Sequence, residues 1–222
     1  MDEDRDRLLA SVLVEARADA EVLGVMLQGS TARGDALPGS DLDLFVLLRP
    51  GCRRPFAAEE RGGLWLERHH ADADAARKKL RAAPGLAYGF DEGRILHDPS
   101  GELADLAAFA RDLLRGHRTP PAEMAAILYW LRSARKKIAA ARDARDSVRA
   151  GFVAATTSWK VLEGIWAIND LPVPPSGALP ARLTDLTRTP PDWPALFAAM
   201  FTGDDQTRID AVLRAIDWVT GD

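Results

Sequence analysis

The spacing of apolar residues changes along the chain, and the change divides it in two. Leu8, Leu9, Val12, Leu13 and Ala16 recur at helical spacing and predict a first helix over residues 5–20, with Gly24 as its stop. Two dense apolar runs follow, "VLGVMLQ" and "DLDLFVLL", which read as strands around the segment "GSTARGDALPGS". Within that segment "STARGDAL" predicts a short helix, with Gly34 and Pro38 as breakers. "PGCRRPF" turns the chain, and "RGGLWLERHH" predicts a third strand with Trp65, Glu67 and His69 on one face. "DADAARKKLRAA" predicts a helix opening on an aspartate, "GFDEGRILHD" a short strand and turn, and "PSGELADLAAFARDLLRG" a helix capped by Ser100.

Beyond "HRTPP" no segment alternates like a strand. "AEMAAILYWLRSARKKIAAARDARDSVRA" predicts one long helix and "GFVAATTSWKVLEGIWAIND" another. A proline-rich connector, "LPVPPSGALP", precedes short helices near 179–187 and 193–201 and a last one over 205–219. Tyr129, Trp130, Trp159 and Trp166 on the long helices read first as core. An α/β half followed by an all-helical half is the plain reading, with the boundary near residues 116–121.

One detail in the first half asks for chemistry. Asp41 and Asp43 are two apart in a strand, so they share a face while Leu42 and Leu44 take the other. Two carboxylates this close repel, and in an apolar setting one is pushed up in pKa unless a cation lies between them. Joint binding of a divalent cation explains the pattern, and hard oxygen ligands suit Mg²⁺ beside substrate phosphates. Gly29-Ser30 stands at a strand-to-helix turn, where backbone and hydroxyl donors can meet a phosphate. A Walker-type Gly-Lys-Ser/Thr loop is not found in the sequence.

Taken together, "GSTARGDALPGSDLDLFV" resembles the Gly-Ser … Asp-x-Asp signature of the polymerase-beta-like nucleotidyltransferase superfamily, in particular its minimal branch that includes aminoglycoside nucleotidyltransferases. Gly29, Ser30, Arg33, Gly34, Ser40, Asp41 and Asp43 agree at once, with ten residues between Ser30 and Asp41. The resemblance implies an α+β fold: a catalytic domain over 1–118, with a mixed sheet and flanking helices, and an all-helical acceptor-binding domain over 119–222. It implies that Gly29 and Ser30 hold the triphosphate and that Asp41 and Asp43 ligate two Mg²⁺ ions. Arg33 and Ser40 are placed among the nucleotide contacts, with bracing of the loop through Asp35 or Asp41 as the alternative for Arg33. The third carboxylate of the family falls on Glu67, with Asp72 as second choice. Glu163, in "WKVLEGIW", is a general base for the acceptor by the same resemblance.

The activity so implied is transfer of a nucleoside monophosphate, AMP from ATP or another NTP, onto a hydroxyl of a small molecule, aminoglycoside-like among the options. Two alternatives stand beside it: a protein-modifying, antitoxin-type adenylyltransferase, and a nucleotide-binding regulator without turnover. A net charge of −4 gives no global attraction for nucleic acid, which is not expected as a partner. The single cysteine, Cys52, rules out an internal disulfide framework and fits a cytoplasmic protein. No uncharged apolar run approaches a membrane span, and no membrane partner is expected. "WPALFAAMF" serves either a homodimer or the core.

Overall fold

The apolar runs of the first half build a mixed five-stranded sheet. The chain is seen here as a computed structural model that describes residues 2–222. It runs α1 (Asp2–Ala18), β1 (Val22–Gln28), α2 (Gly29–Arg33), β2 (Leu42–Leu48), β3 (Ala57–Arg61) and β4 (Leu64–Ala71). Next come α3 (Ala73–Ala82), α4 (Ala87–Asp91), β5 (Arg94–His97) and α5 (Glu102–Gly116). The strand order is β3-β4-β2-β1-β5. β2 and β4 run parallel, and the other neighbours are antiparallel.

Helices cover both faces of this sheet, which is why β2 is apolar on both sides. Leu42, Leu44, Leu64 and Leu66 pack with Leu8, Leu9 and Val12 of α1. On the opposite face, Met26, Phe45 and Leu47 pack with Leu80, Phe90 and Leu103 of α3, α4 and α5. Leu42, Leu44 and Leu47 are wholly buried, and each contributes roughly 1.5–3 kcal/mol relative to exposure. By alternation, Asp43 belongs to the row of Phe45 and Leu47. The carboxylate thus emerges on the α3–α5 side, at the end of β2 where that cover stops.

Several expected elements are corrected. Gly24 is not a helix stop; it lies inside β1, where an added Cβ would stand 2.6 Å from Leu103 Cδ1. The segment read as one strand over 61–70 is a hairpin. Gly62 and Gly63 both hold positive φ, +62° and +77°, and fold Ala57–Arg61 back along β4. Two successive positive φ values are what a tight hairpin turn demands. "AAEER" escaped notice because it is a charged edge strand without apolar alternation. Ser100 makes only a long 3.5 Å contact with the Glu102 amide, whereas Asp98 takes the Ala104 amide at 3.0 Å.

The chain divides into two compact units. One runs to Gly116 and takes in Pro174–Ala178; the other comprises His117–Val173 and Leu179–Asp222. The division precedes the expected 118/119 boundary by two residues, and the return of Pro174–Ala178 to the first unit was not anticipated.

In the second unit, α6 (Pro121–Asp143), α7 (Ser147–Ile168), α8 (Trp193–Thr202) and α9 (Asp205–Thr220) enclose a core that includes Leu131, Ile138, Ile165, Trp166 and Ile216. The single helix expected over 122–150 is broken. Arg145 adopts φ 54°, the Asp146 amide donates to the Ala141 carbonyl, and the Asp146 side chain caps α7 at the Arg149 amide. Trp193, Leu196 and Met200 of "WPALFAAMF" are core. Trp166 is core too, but Tyr129, Trp130 and Trp159 are exposed, against expectation. No described helix is long and apolar enough to cross a membrane.

Candidate active site

Three carboxylates converge where β1, β2 and β4 lie side by side. Gln28 pairs with Asp43 across β1 and β2, and Asp43 pairs with Glu67 across the parallel β2–β4 ladder. In-register neighbours on adjacent strands are roughly 4.8 Å apart and point to the same face. The register therefore delivers Glu67 to Asp43. Asp41 stands one residue before β2, and one oxygen from each of Asp41, Asp43 and Glu67 lies within 4.8 Å of the others. Asp72, the second choice for a third carboxylate, is not in the cluster. It accepts from the Ala75 amide at 2.7 Å and the Gly51 amide at 3.1 Å, capping α3.

The cluster is electrostatically uncomfortable by itself. Burial, then the charges of Asp41 and Glu67, push the Asp43 carboxyl up to about 6, with Arg33 pulling the other way. Its ionised form is therefore less favourable than that of an ordinary aspartate. The Trp65 indole N–H donates to Glu67 Oε1 at 3.1 Å and fixes one oxygen of that carboxylate.

Gly29 begins α2 with φ +67°, and a Cβ there would stand 2.0 Å from Asp43 Oδ2. Glycine alone lets the turn lie against the carboxylate. The Thr31 hydroxyl donates to the Asp41 carbonyl at 3.3 Å, tying α2 to the approach of β2. A cleft of about 390 Å³ opens here, bordered by Gly29, Ser30, Asp41, Asp43, Glu92 and Gly177.

Arg33 is committed to its own surroundings. Its guanidinium donates to Glu92 Oε1 at 2.9 Å, to Asp35 Oδ2 at 3.2 Å and to the Gly177 carbonyl at 3.2 Å. Arg33 also borders the cleft, so this pairing, with Glu92 rather than Asp41 as chief partner, stands beside its expected role as a nucleotide contact. Ser40 does not border the cleft; its Oγ accepts from the Leu37 amide at 2.8 Å and shapes the turn before Asp41. Glu163 lies in the second unit on α7, where Lys160 engages its carboxylate, and is not a member of the acidic cluster. The partners Gln28, Glu92 and Gly177 belong to no recognisable spacing in the sequence, whereas Trp65 is legible there only as a face-mate of Glu67.

Residues 10–89, which contain the turn and all three carboxylates, match the nucleotidyltransferase domain family. The chain carries a nucleotidyltransferase domain. A solved structure, that of a nucleotidyltransferase-like protein from Exiguobacterium sibiricum 255-15, matches over 96% of this chain and 73% of its own at 15% identity and a TM-score of 0.47. No curated protein matches the chain.

The donor set of this nucleotidyltransferase domain fits a divalent cation. All donors are hard carboxylate oxygens, their spacing leaves them within reach of one ion, and a cation there would offset the burial and the neighbouring charges that raise Asp43. Domains of this family act on nucleoside triphosphates, and nucleotidyl transfer is the general function the match supports.

Proposed function

We propose that the protein is a Mg²⁺-dependent nucleotidyltransferase that moves AMP from ATP onto a hydroxyl of a small molecule. The observation that carries this reading is the register-built trio Asp41–Asp43–Glu67 lying directly against the Gly29 turn. Asp41 and Asp43 would hold Mg²⁺, two ions in all, with Glu67 as the third ligand. The bound metal supplies Lewis-acid charge to phosphoryl oxygens and lowers the pKa of an attacking hydroxyl.

The chain's own residues do the rest. Gly29 lets the turn lie close to the carboxylates, and Ser30, which borders the cleft, would offer hydroxyl and amide donors to a polyphosphate. Arg33, held by Glu92 and Asp35, keeps α2 in place. Glu67, steadied by Trp65, stands at the side of the cluster nearest β3 and receives the acceptor hydroxyl. The hydroxyl gives its proton to the Glu67 carboxylate as its oxygen attacks the α-phosphorus, the bond from that phosphorus to the oxygen bridging to the β-phosphorus breaks, and pyrophosphate leaves.

The test is a pyrophosphate-release screen of the four NTPs against pools of hydroxyl acceptors, with Asp41→Asn/Asp43→Asn as control. Mg²⁺-dependent release with ATP, lost in the doubly substituted protein while its circular dichroism stays unchanged, is the expected result. Undiminished turnover in that protein refutes the assignment.

A further inference from the structure

A second hollow of about 270 Å³ lies on the same sheet face, one residue row deeper than the carboxylates. Phe45 of β2 and His69 of β4 are register partners at its floor, directly after the Asp43–Glu67 pair. Phe90 packs edge-on against Phe45 with ring centres 4.8 Å apart, and Leu86 completes the apolar wall. Phe56 rises at the rim, tilted over the His69 ring at 4.8 Å, and is 51% exposed. The hollow and the acidic cleft share Gln28, His69 and Leu86, so they adjoin.

We infer that this hollow is a subsite for a planar, uncharged heteroaromatic ring belonging to a molecule engaged at the acidic cleft. The inference rests on the nucleotidyl-transfer reading above and adds to it the chemistry of one substrate part.

Size comes first. The hollow falls just below the ≈300–1,000 Å³ typical of whole-ligand pockets, so it takes a ring and not a multi-ring sugar. Chemistry agrees. Flat aromatic walls reward a flat partner, and Phe56 lies where a ring can stack on it. No carboxylate lines the hollow, and Lys79 does, so a polycationic acceptor is repelled there. Gln28 borders both spaces, and among the described residues its amide makes one hydrogen-bonding contact, 3.7 Å to the Met26 sulfur. It offers donor and acceptor to the edge of a ring whose face lies on the aromatics. Two sources supply such a ring, the base of the nucleoside triphosphate or an aromatic acceptor.

The test uses wild type, Phe56→Ala and Ala76→Leu. The first removes the stacking surface at an exposed site; the second fills the hollow from α3. Free adenine and indole are titrated without metal by saturation-transfer NMR, and ATP and inorganic tripolyphosphate are titrated with Mg²⁺ by calorimetry. The expected result is binding of at least one free ring to wild type, weakened about tenfold in both folded variants, with tripolyphosphate binding unchanged. ATP weakened in parallel assigns the ring to the nucleotide base. ATP unchanged, with the free ring binding alongside it, assigns the ring to the acceptor. Neither ring binding to wild type, or equal binding to both folded variants, overturns the subsite. Tripolyphosphate failing to bind any of the proteins while a ring still binds removes the nucleotidyl-transfer reading and leaves the subsite standing.

Discussion

Gly29 lies so close to Asp43 that an added Cβ would stand 2.0 Å from the carboxylate oxygen Oδ2. Gly29→Ala therefore does two things. It places alanine at φ +67°, costing about 1–2 kcal/mol, and it pushes the Asp43 carboxylate out of its place. Gly34 separates the effects, because it holds φ +84° with open space around it. Both alanine substitutions are expected to lower the melting temperature by a few degrees. Gly29→Ala also lowers turnover by about a hundredfold, as a displacement near 1 Å does, while Gly34→Ala stays within about threefold. Equal losses in the two would mean that strain and not displacement is at work.

The elevated Asp43 carboxyl makes stability depend on pH in a definite direction. Its folded value of about 6 exceeds the ordinary 3.8, so the native state holds this proton more tightly than the unfolded chain does. That contribution is complete below 3.8 and lost as pH rises through about 6. At pH 7 the ionised Asp43 then opposes folding, and Asp43→Asn relieves it. Melting curves without metal are expected to show the substituted protein above wild type at pH 7, with the gap closing toward pH 4. Millimolar Mg²⁺ narrows the gap at pH 7 by stabilising wild type alone. A gap independent of pH contradicts the assignment.

Trp65 donates to Glu67 from two positions away on the same face of β4. Trp65→Phe keeps the ring and removes the donor. The indole is 46% exposed, so stability changes by no more than about 0.5 kcal/mol. Partners that orient a metal ligand are worth about tenfold or more in metal affinity. Turnover measured against Mg²⁺ concentration is expected to shift about tenfold to higher metal, with the maximal rate nearly restored at saturation. An unshifted Mg²⁺ curve would show that Glu67 needs no support from the indole.

Much of this arrangement could be read from residue order. β1 and β2 are dense apolar runs with clear breakers, and Asp41 and Asp43 stand out because carboxylates are costly in such company. Glu67 needed more: alternation placed it on one face, and the resemblance named it, but only the parallel register shows why it meets Asp43. What escaped depends on contacts distant in sequence. β3 is defined by the turn at Gly62–Gly63 and by its partner strand, not by its own charged residues. The break before α7 hides in a run of good helix formers, where only the capping Asp146 signals it. Glu92 and Gly177 are invisible until folding brings them to Arg33.

Arg33 and Glu92 form an ion pair in which each side chain is about one-tenth exposed. Breaking such a pair from one side leaves a buried charge and costs about 3–5 kcal/mol, whereas replacing both partners with apolar residues of similar size can be neutral. Glu92→Ala is thus expected to destabilise the protein by about 3 kcal/mol in urea denaturation. It also leaves the guanidinium tethered by Asp35 alone among carboxylates, so its hold on the Gly177 carbonyl loosens and the Ala178 amide, now donating to Pro175 at 2.9 Å, exchanges faster with solvent. The paired replacement Arg33→Met/Glu92→Leu distinguishes a brace from a nucleotide contact. If Arg33 only braces, the double substitution recovers stability and most of the turnover together. If its charge meets phosphate, stability returns while the KM for ATP stays raised about tenfold or more, the weight of a lost charge-assisted hydrogen bond. The commitment of three guanidinium nitrogens to Glu92, Asp35 and Gly177 favours the first outcome.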